Sequence, residues 1–243
     1  MKRTLLEMTQ SILSDMDSEG VNSISDTVEA GQVASVIEDT FFNIIAARDI
    51  PEHKQLIKLT SLSSSAKPTH FKYPTNTRKL ELIQYNIGTT TPNYKTMKYV
   101  DPMTFITQMD QSASGVVVVT DVKGNTPLYI RNDRMPSFYT SFDDEYIVMD
   151  SFDASVENIL RVNKTRAYGY IYPTFSQTDT FVPDIDDTML PYLLAEAKSV
   201  CFSLFKSGSD PKIEQSARRL KSSVQNDMYK TKMANKRPNY GRT

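Results

Sequence analysis

Residues 27–51 read TVEAGQVASVIEDTFFNIIAARDIP, and the chain changes character where they end. Val33, Val36, Ile37, Phe41, Ile44 and Ile45 recur at helical spacing on one stripe, which predicts an amphipathic helix of about six turns. Gly31 inside it costs about 1 kcal/mol relative to alanine; a close helix contact and a tolerated surface position both fit it. After Pro51, helix formers give way to Thr, Ser, Tyr, Val and Pro, and this texture persists to about residue 183. The fold is therefore decided here: helix first, then a long region read as mostly β. Candidate strands cover 79–87, 114–121, 127–133, 137–142, 145–152 and 165–172, with FDDEY (142–146) as a hairpin turn. DPMTFITQMDQ (101–111) reads as a short helix with Asp101 as N-cap and Pro102 at its first position.

Outward from this switch the chain is helical at both ends. In TLLEMTQSILSDM (4–16), Leu5, Leu6, Thr9, Ile12, Leu13 and Met16 keep helical spacing, with Gly20 as the expected stop and Ser25 or Asp26 as the next N-cap. In DDTMLPYLLAEAKSVCFSLFKSG (186–208), Leu190, Leu193, Leu194, Ala197, Val200, Cys201, Leu204 and Phe205 form a wide stripe. Acids stand at its start, and Lys206 and Gly208 at its end, as the helix dipole and C-cap favour. A last helix opens at Pro211 with a thin seam of Ile213, Ala217, Leu220, Val224 and Met228, so its other faces should meet solvent or a partner. The expected fold class is α+β. A helical bundle (1–61 and 184–210) carries an inserted, mainly antiparallel β domain (62–183), followed by a long C-terminal helix and extended tail (211–243).

Composition bounds the function. With 243 residues, 39% of them hydrophobic, the chain can bury a full core. No run approaches the roughly 18 apolar residues of a membrane span, and MKRTLLEMTQSIL is too polar after its basic start for a signal peptide. The net charge of −1 conceals an asymmetry: from Lys212 onward there are nine Lys/Arg against two Asp/Glu, and 19 against 27 before it. A basic tail on an acidic body can bind nucleic acid, an anionic surface or an acidic protein groove.

Catalytic and cofactor signatures are missing. Cys201, the only cysteine, lies in an apolar helical run and reads as core packing. His53 and His70 have no Cys or carboxylate at metal-ligand spacing, and none of the eight glycines forms a phosphate-cradling loop, so no metal or cofactor is expected. Asp143 with Asp144 reads as a turn, and Asp184, Asp186 and Asp187 as helix capping rather than as an acid pair for hydrolysis. Tyr129, Phe138, Tyr139, Phe142, Tyr146, Phe152, Tyr168, Tyr170 and Tyr172 crowd the β region, but without interleaved Lys/Arg they suit a sheet with a protein-binding face better than a base-stacking platform.

Four stretches carry a family resemblance: NSISDTVEAGQVASVIEDTFFNIIAARDI (22–50), PSFYTSFDDEYIVMDSFD (136–153), TRAYGYIYPTFSQTDTFVPDI (165–185) and LPYLLAEAKSVCFSLF (190–205) followed by a charged helix. In this order, over most of the chain, they resemble the head-to-tail adaptor proteins of tailed bacteriophages, the group called tail tubular protein A in short-tailed phages. The resemblance implies a virion structural protein at the head–tail junction, made in the host cytoplasm, without catalysis or cofactor. It implies a dodecameric ring that binds the portal protein above and a downstream tail or nozzle protein below, with genomic DNA passing through unspecifically and no membrane contact. It also places portal docking on the C-terminal helix and tail, at Arg218, Arg219, Lys221, Lys230, Lys232, Lys236, Arg237, Pro238, Asn239, Tyr240, Gly241 and Arg242. As a helix, residues 211–235 would extend about 37 Å. The alternative is a nucleic-acid or regulatory protein-binding module using the same basic helix.

Overall fold

The computed structural model describes residues 2–108, 114–124, 126–206 and 211–234, with the side chains of 227–234 outside the description. Among these the fold is mixed α+β. Five helices are present: α1 (Leu5–Asp15), α2 (Val28–Ala47), α3 (Pro102–Gln108), α4 (Leu190–Phe205) and α5 (Pro211–Ala234). The strands are β1 (Lys54–Ile57), β2 (Thr60–Ser61), β3 (His70–Lys72), β4 (Thr77–Asn86), β5 (Tyr94–Thr96), β6 (Lys98–Tyr99), β7 (Val116–Thr120), β8 (Pro127–Arg131), β9 (Phe138–Thr140), β10 (Tyr146–Met149) and β11 (Thr165–Ile171). The chain divides into two compact units, Met1–Glu52 with Pro173–Thr243, and His53–Tyr172.

The helical unit packs α2 against α1 and α4, and α4 against α5. Its core takes Leu5, Met8, Ile12, Leu13 and Met16 from α1 and its end, Val33, Ile37, Phe41 and Ile45 from α2, and Leu193, Ala197 and Cys201 from α4. Thr4 and Glu7 form a reciprocal capping box at the start of α1. The helix closes before Gly20: Asp17 adopts the left-handed region (φ 54°), and Ser18 N–H donates to Leu13 O while Asp17 N–H donates to Ser14 O. This is a Schellman ending with aspartate, a residue that tolerates that conformation, in the usual glycine position. The N-cap of α2 is Thr27, whose hydroxyl accepts from Ala30 N–H, rather than Ser25 or Asp26; Asp26 instead holds the preceding turn by accepting from Asn22 and Ser23 N–H. Gly31 faces that turn, since an added Cβ would lie 3.7 Å from Ile24 O, an ordinary contact.

The unit boundaries lie at 52/53 and 172/173, where the sequence placed them at 61/62 and 183/184. At the first, β1 pairs with β11, which draws residues 54–57 into the sheet. At the second, the returning segment belongs to the helices. Phe175 packs on Phe41 (centroids 5.3 Å apart) and Phe181 (4.4 Å), Phe181 O accepts from Leu5 N–H, and Asp179 accepts from Ile24 N–H. The bond from Leu5 N–H satisfies a helix-end donor that would otherwise lack a partner, and the bond from Ile24 N–H holds the turn before α2.

The β unit contains a four-stranded sheet ordered β1-β11-β4-β5, a five-stranded sheet ordered β2-β3-β10-β9-β6, and the hairpin β7-β8. Pairing is antiparallel except between β6 and β9. One core joins them, with Ile83, Tyr85 and Ala167 from the first sheet, Phe71, Ile147 and Met149 from the second, and Val119, Leu128 and Ile130 from the hairpin. A bulge between Tyr168 and Gly169 requires glycine, because a Cβ there would sit 2.1 Å from Lys79 O. Asp101 caps α3 as the sequence implies, accepting from Met103 and Thr104 N–H.

Candidate docking surfaces

Among its described side chains, the basic helix α5 meets its own unit along the stripe of 213, 217, 220 and 224. Ala217 and Val224 are buried and Leu220 packs against the helical core, while Arg218, Arg219 and Lys221 are exposed. The apolar positions 213, 217, 220 and 224 follow one stripe, so rotation about the helix axis points the intervening cations away from α4. Arg218 pairs with Glu214 one turn earlier (2.5 Å), in the acid-before-base order that suits a helix. Lys230 and Lys232 lie on the α5 backbone beyond the described side chains. Lys236, Arg237, Pro238, Asn239, Tyr240, Gly241 and Arg242 lie outside the described residues.

Charge is distributed by unit. Residues 1–52 with 173–211 hold 5 Lys/Arg against 16 Asp/Glu, residues 53–172 hold 14 against 11, and the segment from 212 onward holds 9 against 2. The acidic body of the sequence is thus the helical unit alone. Its stripe on α4 is also narrower than the spacing suggested, because Val200 (38% exposed) and Leu204 (62% exposed) reach the surface.

Cations do interleave with the aromatics of the β unit, across strands rather than along them. Lys54 on β1 lies over the rings of Tyr168 (5.0 Å) and Tyr170 (5.4 Å) on β11, and the Arg166 guanidinium on β11 lies 3.6 Å from the ring centroid of Tyr94 on β5. A scan along one strand cannot find these pairs; the strand register creates them.

Among the acids weighed as catalytic pairs, Asp143 and Asp186 have local bonds. Asp143 accepts from Glu145 and Tyr146 N–H, shaping the turn, and pairs with Lys123 at 3.4 Å. Asp184, Asp186 and Asp187 do not cap α4: its N-cap is Met189, without a side-chain bond, and Asp186 instead accepts from the Thr188 hydroxyl. Cys201 is fully buried and burial raises its thiol pKa to about 12, which removes the thiolate a nucleophile needs. Among the described residues no three His, Cys, Asp or Glu side chains are grouped to hold a metal ion.

Two buried polar clusters escape sequence reading. His70 is fully buried on β3, its Nε2 3.9 Å from the Asp121 carboxylate, and burial lowers its pKa to about 4 against the opposing pull of Asp121. Tyr85 on β4 is also fully buried; its hydroxyl donates to Glu157 and accepts from Arg161 N–H at 3.1 Å. Lys164 closes the cluster at 2.9 Å from Glu157, and burial pushes the Tyr85 hydroxyl pKa far up. The partners are 72 residues apart, so no local pattern announces them.

No helix among the described residues is long and apolar enough to cross a membrane. No protein-family model matches the chain, and no curated protein matches it significantly.

Proposed function

We propose that this protein is a ring-forming head-to-tail adaptor of a tailed bacteriophage, a virion structural protein without catalysis or cofactor. In this reading a helical bundle carries a β insertion. The C-terminal helix and tail bind the portal protein, the β unit meets the downstream tail or nozzle protein, and genomic DNA passes through a dodecameric ring. The observation that carries the proposal is α5, a helix from Pro211 to Ala234 whose described side chains meet its own unit along one stripe, with Arg218, Arg219 and Lys221 turned outward. Such a face suits carboxylates on a partner, and Tyr240 adds an aromatic anchor with a hydrogen-bonding hydroxyl. A ring strengthens weak individual arms, because after one is seated the others bind at high effective concentration. An acidic helical unit also suits a conduit, since a basic lining would hold the phosphate backbone by counterion release.

The test is a pair of variants: deletion of residues 236–243, and the triple reversal Arg218→Glu, Arg219→Glu, Lys221→Glu. Both should melt like the parent chain yet fail to attach stably to portal-bearing heads, which then leak packaged DNA. Heads that keep their DNA and tails with either variant would overturn the docking arm. Duplex DNA binding by the parent chain that is lost in the triple variant, without any portal binding, would favour the nucleic-acid module instead.

A further inference from the structure

The outward face of the sheet β1-β11-β4-β5 has the composition of a contact surface. Leu56 is 74% exposed and lies opposite Tyr168 in the β1–β11 register, flanked by Lys54 and Arg166. By register Lys54, Lys79 and Arg166 share this face, where Glu81 pairs with Lys54, whereas Lys95 stands opposite the buried Tyr85 on the other face and donates to Ser137 Oγ. The Arg166 guanidinium lies over the Tyr94 ring, and no carboxylate among the described residues is within ion-pair distance of it. Stacking immobilises the guanidinium while leaving its N–H fork available, the arrangement that favours bidentate capture of a carboxylate.

A complementary surface occurs on the same chain. From Thr4 to Ala47 there are eight Asp/Glu and no Lys/Arg, and five of the acids, Asp15, Asp17, Glu19, Asp26 and Glu29, flank the turn between α1 and α2; Asp15 pairs with Lys198 of α4, Asp26 accepts from turn N–H groups, and Glu29 accepts from the Ser18 hydroxyl. At the centre of that run Val28 is 81% exposed, in the first turn of α2. One face therefore presents an exposed leucine among cations, and the other an exposed valine among carboxylates.

We infer that the β1-β11-β4-β5 face of one copy docks on the α1–α2 turn of a second copy, with Val28 packed on Leu56 and Tyr168 and a carboxylate in the Arg166 fork. The contact joins two different surfaces, so it is heterologous and propagates into a ring or a filament. It names the contact between copies for the ring proposed above, resting on that reading for closure but not for the contact itself. Nucleic acid suits the face less well: Lys54 and Arg166 occupy the tyrosine ring faces that bases would stack on, and Lys54 is already paired with Glu81.

Sedimentation of the full-length chain up to millimolar concentration, at low and at molar salt, tests the contact. Association should appear at low salt and weaken in molar salt, where the Debye length falls to about 3 Å. Leu56→Lys and Val28→Asp should each weaken it by at least about tenfold. Val28→Asp places a carboxylate where the helix dipole favours it, so loss of association there does not signal unfolding. Arg166→Glu and Glu19→Lys should each associate weakly alone and better when mixed. Absence of association at millimolar protein, or association unaffected by Leu56→Lys and Val28→Asp, overturns the inference. Binding of oligodeoxythymidine that depends on Arg166 in place of self-association overturns it in favour of nucleic acid. Self-association that survives while portal attachment fails removes the adaptor reading and leaves this contact standing.

Discussion

The two units solve burial differently. Among the described residues of the helical unit the buried polar side chains are Thr9 and Thr40, and the core is otherwise aliphatic and aromatic, with Cys201 as one more apolar filler. The β unit buries His53, Thr69, His70, Thr140, Ser151 and Glu157. Helices satisfy their own backbone and can present a purely apolar stripe to a neighbour. In the β unit Ser151 donates to Met135 O and Glu157 accepts from the Tyr85 hydroxyl, while the side-chain polar atoms of Thr69, His70 and Thr140 are buried without a hydrogen bond among the described residues. One unit is therefore held by packing, and the other by packing together with buried polar groups, of which His70 responds to acid.

The largest way to break this comparison is to cut the packed core. Phe41→Ala removes a fully buried ring between α2 and the returning Phe175, and should destabilise the helical unit by about 3–5 kcal/mol. In urea, followed by circular dichroism for the helices and tyrosine fluorescence for the β unit, the helical transition should move first. A single shared shift would show that the units do not unfold separately.

Acid probes the opposite side. The folded pKa of His70 is about 4 against an ordinary value of 6.5, so the unfolded chain takes up a proton through that interval while the folded chain resists it. The stabilisation is complete above pH 6.5 and is lost as pH falls towards 4, by up to about 3 kcal/mol. His70 lies in the β unit, so lowering the pH from 7 to 4.5 should lower that unit's melting transition selectively, and His70→Asn should flatten the dependence. An equal loss in the helical unit would erase the contrast.

A smaller effect sharpens it. Tyr85→Phe removes one hydroxyl and takes the bond from two atoms, Glu157 Oε1 and the Arg161 N–H, while Lys164 keeps Oε2, and should cost about 2 kcal/mol in the β unit. An unchanged denaturation midpoint would show that the cluster contributes no net stability. The smallest expected effect is on the other unit: Thr4→Ala opens the capping box and should cost about 1 kcal/mol, seen as a helical transition shifted slightly to lower urea.

The sequence was most legible where one period runs long. The stripe of α2 places Val33, Ile37, Phe41, Ile44 and Ile45 in the core as spacing implies. Strand periodicity found β4, β7, β8, β9, β10 and β11 but not β1, β2, β3, β5 or β6; these are two to four residues long, and β9 and β10, equally short, were found because they lie within the longer stretches 137–142 and 145–152. Ends were less legible than interiors: Thr27, Asp17 and Met189 occupy capping positions that Ser25, Gly20 and the acids before α4 were expected to fill. On the candidate surfaces, the outward face of α5 follows from its thin seam. The Arg166–Tyr94 and Lys54–Tyr168 stacks do not, because they depend on which strands become neighbours. Val200 and Leu204 show the converse error, since a periodic stripe states which residues share a face but not whether a neighbour covers all of it.

The pairing of β1 with β11 has a consequence for how this chain can change. Lys54 and Tyr170 face each other in the ladder, so the first and last strands of the β unit lie about 5 Å apart where the chain leaves and rejoins the helices. To the helical unit, everything between those strands is equivalent to a short closed loop, because closure entropy is set by the distance between its ends once the excursion is folded. The unit is thus a cassette on a two-strand stem. It can be lengthened, trimmed or exchanged for another cassette with the same stem while the helices keep their packing, which lets the two halves of the molecule diverge at different rates.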